Sequence, residues 1–233
     1  MKISVIIPTY NEIATIGRLL DYLLTETSSH NAEIIVVDGQ SPDGTLQSIR
    51  HYPVMAVTSP NKGRGAQMNH GASVATGDVL YFLHADSFPP ADFVRHIQNS
   101  MFSKYKSGCF RLRFDSDHWF LKANAWFTRF DSDWVRFGDQ SLFVARDVFE
   151  KAGKFREDWV VMEDQEIIPR LKAQGKFRIC PGYVTTSARK YLDNGVIWLQ
   201  VVFFVIWLQW KLGYSQPQLV RTYRKLIRKQ DKV

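Results

Sequence analysis

With 233 residues, 45% of them hydrophobic and no repeat or low-complexity tract, the chain can bury a sizeable core as one large domain or one domain with an appendage. Its formal charge of +7 is unevenly spread: from Lys211 onward there are seven basic residues and one acidic, so the body is nearly neutral and lacks the basic, aromatic surface of a nucleic-acid binder. Cys109 and Cys180, far apart and in no paired motif, exclude a disulfide framework or a zinc site and read as two packed thiols.

The opening MKISVIIPTYNE has a short apolar run without signal-peptide length or a small-residue cleavage pattern, and it reads as the first strand of a cytosolic protein. Apolar residues 4–8 end at Pro8-Thr9-Tyr10-Asn11-Glu12, after which Ile13, Ile16, Leu19, Leu20, Leu23 and Leu24 recur with helical spacing. That is the start of a βαβ unit. Its loop has neither G-x-G-x-x-G nor G-x-x-x-x-G-K-[ST], so hydride transfer and ATPase chemistry are not supported.

Residues 28–31 form a turn, and 33–38 are a second strand with Asp38 at its end. Gly39-Gln40-Ser41-Pro42-Asp43-Gly44-Thr45 then supplies turn residues and a helix start. A third strand is expected over 54–58. It is followed by Asn61-Lys62-Gly63-Arg64-Gly65, which is either a cradle for a phosphate or a solvated turn. Small residues over 67–75 suit a helix lying on a sheet. Residues 79–83, bounded by Gly77-Asp78 and ending in His84-Ala85-Asp86, read as a strand buried on both faces with a carboxylate at its carboxyl end. Four strands alternating with helices mean a mostly parallel sheet, and the carboxyl ends of its strands are where such sheets bind ligands.

Beyond Asp86 a helix is expected over 91–101 and a half-exposed antiparallel strand over 109–114, where Phe110, Leu112 and Phe114 alternate with Cys109, Arg111 and Arg113. Residues 119–130 carry aromatics at helical spacing, suited to the core or to an acceptor-groove wall. A short strand over 141–145 follows Gly138-Asp139-Gln140. A helix then opens at Met162-Glu163-Asp164-Gln165-Glu166 and runs to Gln174, with Pro169 predicting a kink or a late start.

Taken together, SVIIPTYNE, VVDGQSPDGT, GDVLYFLHAD and MEDQE at these intervals resemble the inverting glycosyltransferases of family 2, over about the first 190 residues. The chain looks most like a compact bacterial subgroup, some members of which carry an arsenosugar-biosynthesis label. The resemblance implies a GT-A fold, a Rossmann-like α/β architecture with helices on both sheet faces, over residues 1–190, with a helical appendage over 191–233. It further implies an enzyme that uses a nucleotide-sugar donor, with a UDP-sugar favoured, and Mn2+ or Mg2+. By matching motif, Pro8, Tyr10 and Glu12 belong to the nucleotide pocket, Asp38 to the base or ribose, and Arg64 to the nucleotide or its phosphates. Asp86 is matched to the metal, Asp164 to the catalytic base, and Glu163 to its neighbour. The departure is His84, where many relatives have the first Asp of a D-x-D motif; His84 is left to bind the ion, or a phosphate through water.

Two other readings stay open, a nucleotidyltransferase and a non-catalytic, membrane-bound binder of sugar nucleotides. The former would place a glycine-rich basic loop after the first strand, where this chain has no glycine. Residues 196–210 hold thirteen apolar side chains in fifteen and would make a helix about 22 Å long, short of the roughly 30 Å hydrocarbon core. Lys211, Arg221, Arg224, Lys225, Arg228, Lys229 and Lys232 follow it. Apolar segment and basic cluster predict either attachment to an anionic membrane at the cytoplasmic face of the inner membrane or a homodimer interface with a solvated tail.

Overall fold

The computed structural model describes residues 1–132 and 138–227. The first half alternates strictly: β1 (Ile3–Thr9), α1 (Ile16–Thr27), β2 (Ala32–Asp38), α2 (Thr45–Ile49), β3 (Met55–Thr58), α3 (Arg64–Val74) and β4 (Val79–Phe82). The second half adds β5 (Ser87–Phe88), α4 (Phe93–Phe102), β6 (Tyr105–Phe114), α5 (Trp119–Phe127), β7 (Leu142–Ala145), α6 (Arg146–Lys151), α7 (Glu163–Gln174) and β8 (Lys176–Thr186). Three helices complete it: α8 (Arg189–Asn194), α9 (Val196–Lys211) and α10 (Gln216–Leu226).

Among the described residues eight strands join one sheet in the order β3-β2-β1-β4-β7-β6-β8-β5. The first four are parallel, β7 runs against both β4 and β6, and β8 is parallel to β6. The carboxyl ends of β1, β2, β4, β6 and β8 therefore share one edge. Leu142, which opens the reversed strand β7, pairs with Phe82 at the close of β4, so residues 139–141 lie at that same edge.

Strand alternation divides the core between the two faces. Val5, Ile7, Val36 and Tyr81 pack under α1 and α4 with Leu19, Leu23, Phe93 and Ile97. Ile6, Val37, Leu80 and Phe82 pack on the opposite face with Met68, Phe149 and Ile167. Helix α3 lies so close to the sheet that a Cβ on Gly71 would stand 2.4 Å from Ile6 Cγ2, which explains the small residues read there. Pro8 sits inside β1 without breaking a ladder on the β4 side, because that pairing ends at Ile6 and Phe82. Both cysteines are buried and outside any disulfide.

Four sequence expectations need correction. The strand over 109–114 starts earlier, at Tyr105, and its long partner β8 is parallel; only β7 is antiparallel to it. The stretch Asn61–Gly65 is not all loop, since α3 begins at Arg64 rather than at Gln67. Helix α7 starts at Glu163 despite Pro169, which lies inside it, so no late start occurs. The aromatic helix α5 ends at Phe127, short of Phe130.

A third cluster lies beyond the sheet, where Leu112, Phe114 and Leu121 meet Val161, Tyr191, Leu199, Val202, Ile206, Leu219 and Tyr223. Helix α10 is opened by a capping box between Ser215 and Gln218 with Pro217 in its first turn. Among the described residues no helix is long and apolar enough to cross a membrane. Arg228, Lys229 and Lys232 of the basic cluster lie outside the described residues.

Candidate active site

The shared strand edge gathers the predicted residues into two groups. The first stands on the ends of β1 and β2. Gly39 N donates to Thr9 O at 2.8 Å, and Gln67 Nε2 of α3 donates to both Thr9 O and Val37 O at 2.8 Å, which fixes the two ends together. Asp38 is 1% exposed, and its Oδ2 accepts from Ser41 N at 2.9 Å. Its Oδ1 is buried without a hydrogen-bond partner among the described residues, as are both polar atoms of the Asn11 side chain. Asn11 N donates to Ser41 Oγ at 2.9 Å, Glu12 N donates to Thr45 Oγ1 at 2.9 Å, and Glu12 Oε2 accepts from Thr15 Oγ1 at 2.5 Å. Tyr10 is half-buried in the same loop. Orphaned polar atoms at a strand edge are the groups a bound nucleotide would satisfy.

The second group stands on β4, the turn before β7, and the starts of α3 and α7. Arg64 Nε lies 3.1 Å from Glu163 Oε1, and Arg64 Nη1 lies 3.5 Å from Asp164 Oδ2. Glu163 is 2% exposed and Asp164 21%. Glu163, ahead of Asp164 and Asp139, holds Arg64 charged against the cost of its desolvation. Burial dominates at Glu163 itself and, with Asp164 beside it, pushes its carboxyl up to about 7 in spite of Arg64. Asp164 also lines a small cavity, with room for one water molecule, whose walls include His84, Gln140, Ser141 and Phe155.

His84 Nδ1 lies 3.3 Å from Asp139 Oδ1. Burial opposes a proton on His84, but Asp139 outweighs it and raises the imidazole's pKa. Burial likewise opposes charge on Asp139, while His84, Arg64 and Lys190 hold it below the usual carboxylate range. Burial and then Asp139 raise Asp86. Asp139 is thus a member of the cluster that the motif reading missed, and its one sequence signal was a carboxylate immediately before a strand. Among the described residues no three His, Cys, Asp or Glu side chains already stand arranged around a metal position. The raised carboxyl of Asp86, the lowered one of Asp139 and the His84 imidazole beside it are the kind of oxygen-rich donors that Mg2+ or Mn2+ would take if a diphosphate completed the coordination.

Among the described residues, four other than glycine at this edge have left-handed backbones: Asn11 (φ 58°), Gln40 (φ 67°), Ser141 (φ 60°) and Met162 (φ 69°), the last directly before Glu163. Strain of this kind persists where surrounding structure over-determines it, commonly at sites of function.

Glu163 makes the fold sensitive to pH. Its folded value of about 7 exceeds the ordinary 4.5, so between those values the unfolded chain gives up a proton that the folded chain keeps, and stability falls as pH rises through the window. Glu163→Gln should flatten that slope and gain on the order of 1–3 kcal/mol relative to the parent at pH 8, with little difference at pH 4.5. Urea unfolding at the two pH values measures it; an unchanged slope refutes the raised carboxyl.

The sequence profile of glycosyl transferase family 2 matches residues 4–160, well over half the chain, and stops just short of Glu163 and Asp164. The chain is 35% identical over 99 residues to a dolichol-phosphate mannosyltransferase of Pyrococcus furiosus, covering 40% of this chain and 28% of that one. It is 32% identical over 131 residues to an undecaprenyl-phosphate 4-deoxy-4-formamido-L-arabinose transferase of Aeromonas hydrophila, covering 52% and 40%. The chain therefore spans less than half the length of either relative. Its fold is similar to that of a mannosyltransferase from Pyrobaculum calidifontis solved with GDP-Man and Mn2+ (TM-score 0.64, 21% identity, 78% of this chain and 56% of that one). It is also similar to S. aureus TarS (TM-score 0.63, 15% identity, 95% and 69%), and at such identities the likeness is one of fold, the GT-A arrangement. With the profile spanning β1 through the cluster at β4 and on to the threshold of α7, the chain belongs to glycosyl transferase family 2.

Proposed function

We propose that the protein is an inverting glycosyltransferase that moves a sugar from a nucleotide-sugar donor, a UDP-sugar by preference, to an acceptor hydroxyl. The observation that carries this reading is the division of labour between neighbouring carboxyls: Glu163 is enclosed against Arg64, whereas Asp164 keeps solvent access and lines the cavity beside His84. Two adjacent acids in opposed environments are the usual source of distinct chemical roles. Asp164 is the general base: it takes the proton of the acceptor hydroxyl while that oxygen bonds to the anomeric carbon. The bond from that carbon to the diphosphate breaks on the opposite face, so the configuration inverts. Arg64 holds the base in place and faces the phosphates, and Asp38, Pro8, Tyr10 and Glu12 receive the nucleoside. Asp86, with His84 at its side and Asp139 behind, would hold a divalent cation, which offsets charge developing on the leaving diphosphate.

The test is a panel of UDP-, GDP- and dTDP-sugars with and without Mn2+, followed by thermal shift and by donor hydrolysis. A nucleotide-sugar that raises the melting temperature and is turned over is the expected result. Binding without turnover would favour the non-catalytic reading, and no shift with any donor would refute both.

Residues 1–190 are the transferase domain in this reading, and 191–233 carry a surface for an anionic membrane. On α9, Ile197, Trp198, Val201, Phe204 and Leu208 are exposed along one side, while Leu199, Val202 and Ile206 are buried. Helix α5, tied to α9 by Asn124 Nδ2 donating to Gln200 Oε1 at 2.7 Å, adds exposed Trp119, Trp126 and Phe127. Cations lie over the indoles at the rim, with Arg129 4.3 Å above Trp126 and Lys211 4.5 Å above Trp210. Exposed aromatics rimmed by cations fit the interface of an anionic bilayer. A lipid-linked acceptor would suit that placement, as the names of the Pyrococcus and Aeromonas relatives include dolichol phosphate and undecaprenyl phosphate. Co-sedimentation with phosphatidylglycerol vesicles, weakening as salt rises, is expected; a dimer that ignores such vesicles at low salt would overturn it.

A further inference from the structure

Two of the residues placed against the nucleoside, Tyr10 and Asp38, directly follow Thr9 and Val37, and the carbonyls of those two residues share one side-chain amide. The amide is that of Gln67 on α3, which is 5% exposed; its Nε2 donates to Thr9 O at 2.8 Å and to Val37 O at 2.8 Å, which uses both of its hydrogens. The tie stands where regular pairing stops. Strands β1 and β2 pair for the last time at Thr9 and Asp38, and beyond that point the chain opens into the loops that carry Tyr10, Glu12 and Ser41.

Gln67 is itself held from two sides. Gly71, one turn further along α3 and on the same face, lets the helix sit so near the sheet that a Cβ there would stand 2.9 Å from Val37 Cγ2. From the loop side, a Cβ on Gly39 would stand 3.0 Å from Gln67 Nε2 and 3.1 Å from its Cδ, so the amide is enclosed between helix and loop. Three residues earlier on the same helix, Arg64 is bound to Glu163 at 3.1 Å and to Asp164 at 3.5 Å. Helix α3 therefore meets the nucleoside end of the site through Gln67 and the chemical end through Arg64, by separate bonds.

The fold alone does not call for a polar group here, since the residues around Gln67 on that face, Ile6, Val37, Met68 and Ala72, form an apolar cluster. What the amide adds is a fixed direction for the two carbonyls. Asp38 has need of it: its Oδ2 is taken by Ser41 N and its Oδ1 is buried without a partner among the described residues, so the carboxylate is aimed before any ligand arrives. Resting on the transferase reading, we infer that Gln67 is a positioning residue for the nucleoside of the donor. It fixes the backbone directly ahead of Tyr10 and Asp38, sets those side chains at the spacing the nucleoside requires, and takes no part in the transfer step.

The test uses whichever of the UDP- and GDP-sugars the parent hydrolyses with Mn2+, and reads KM and kcat of hydrolysis, calorimetric affinity for the matching nucleoside diphosphate, and melting temperature. Gln67→Met keeps the length of the side chain and removes both donors. It should raise KM and weaken the nucleoside diphosphate about 10-fold, while kcat stays within about twofold because Arg64 keeps its own anchors. Gly39→Ala presses on the amide from the loop and should give the same loss, again confined to KM; it carries the test should Gln67→Met not fold. Parental KM and affinity in Gln67→Met, or in Gly39→Ala where that variant stands in, overturn the inference. So does a kcat that falls as far as the affinity, which would make Gln67 a support of the whole site. If the parent neither binds nor hydrolyses any donor, the transferase reading fails first and carries this inference with it.

Discussion

Asp164→Asn should lower sugar transfer by about 10²-fold or more while nucleotide affinity stays close to that of the parent, the usual scale for a missing general base. The substitution is chosen to leave the rest of the cluster standing. Asparagine keeps the volume of the side chain and an oxygen that can accept from Arg64 Nη1, and Glu163 remains 3.1 Å from Arg64 Nε as its main counter-charge. What disappears is the capacity to take a proton, and the residue that loses it is the one of the pair with solvent access and a place in the cavity wall. Glu163 is poorly suited to stand in, being 2% exposed. Single-turnover transfer and calorimetric titration of the donor nucleotide separate the two effects. Equal losses of rate and affinity would instead make Asp164 a helix-start residue that stabilises α7 by its charge.

What could be read beforehand depended on how locally each feature is written. The strands β1, β2 and β4 are apolar runs bounded by turn residues, so both their existence and the acids at their ends were legible, and with them the edge that carries Asp38 and Asp86. Strand β8 was missed. Its sequence KFRICPGYVTT mixes polar and apolar residues over a half-exposed surface, and Pro181-Gly182 interrupt the pattern where the pairing jumps from Phe110–Cys180 to Arg111–Tyr183. Without β8 in view, β6 had no visible parallel partner, and its alternation read as antiparallel. Asp139 was hidden for a different reason. Its meeting with His84 depends on β7 entering the sheet in reverse beside β4, a pairing between segments some sixty residues apart that no local period reports. The left-handed backbone at Met162 has no composition signal either, since methionine is not a residue of turns. Lys190 and Tyr223 meet because α8 and α10 share the third core cluster, and the sequence shows the apolar spacing of α10 but not where it docks.

The other large effect concerns Asp86. Donor binding should depend on Mn2+ or Mg2+ in the parent protein, and in Asp86→Ala both that dependence and transfer should be lost. Asp86 follows β4 at the common strand edge, and its carboxyl is raised by burial and by Asp139 close at hand. Two carboxyls kept together in partial burial are costly unless a positive charge enters between them or one of them takes a proton. His84 supplies part of the relief, but Nδ1 is already directed to Asp139 at 3.3 Å, which leaves Asp86 the less compensated acid. A divalent cation would complete the balance and would do so best together with the diphosphate, in keeping with a site that holds no ready-made three-ligand arrangement among the described residues. The crowding of Asp86 against Asp139 also bears on stability. Asp86→Asn removes the repulsion without opening a hole, so the metal-free variant should melt at or above the parent's temperature, while Mn2+ with UDP, which stabilises the parent, should no longer raise it. Thermal melts with EDTA, with Mn2+ and with Mn2+ plus UDP distinguish the cases. Normal turnover of Asp86→Ala in EDTA would remove the metal from Asp86, and a Mn2+-dependent rise preserved in Asp86→Asn would move it to other residues of the cluster.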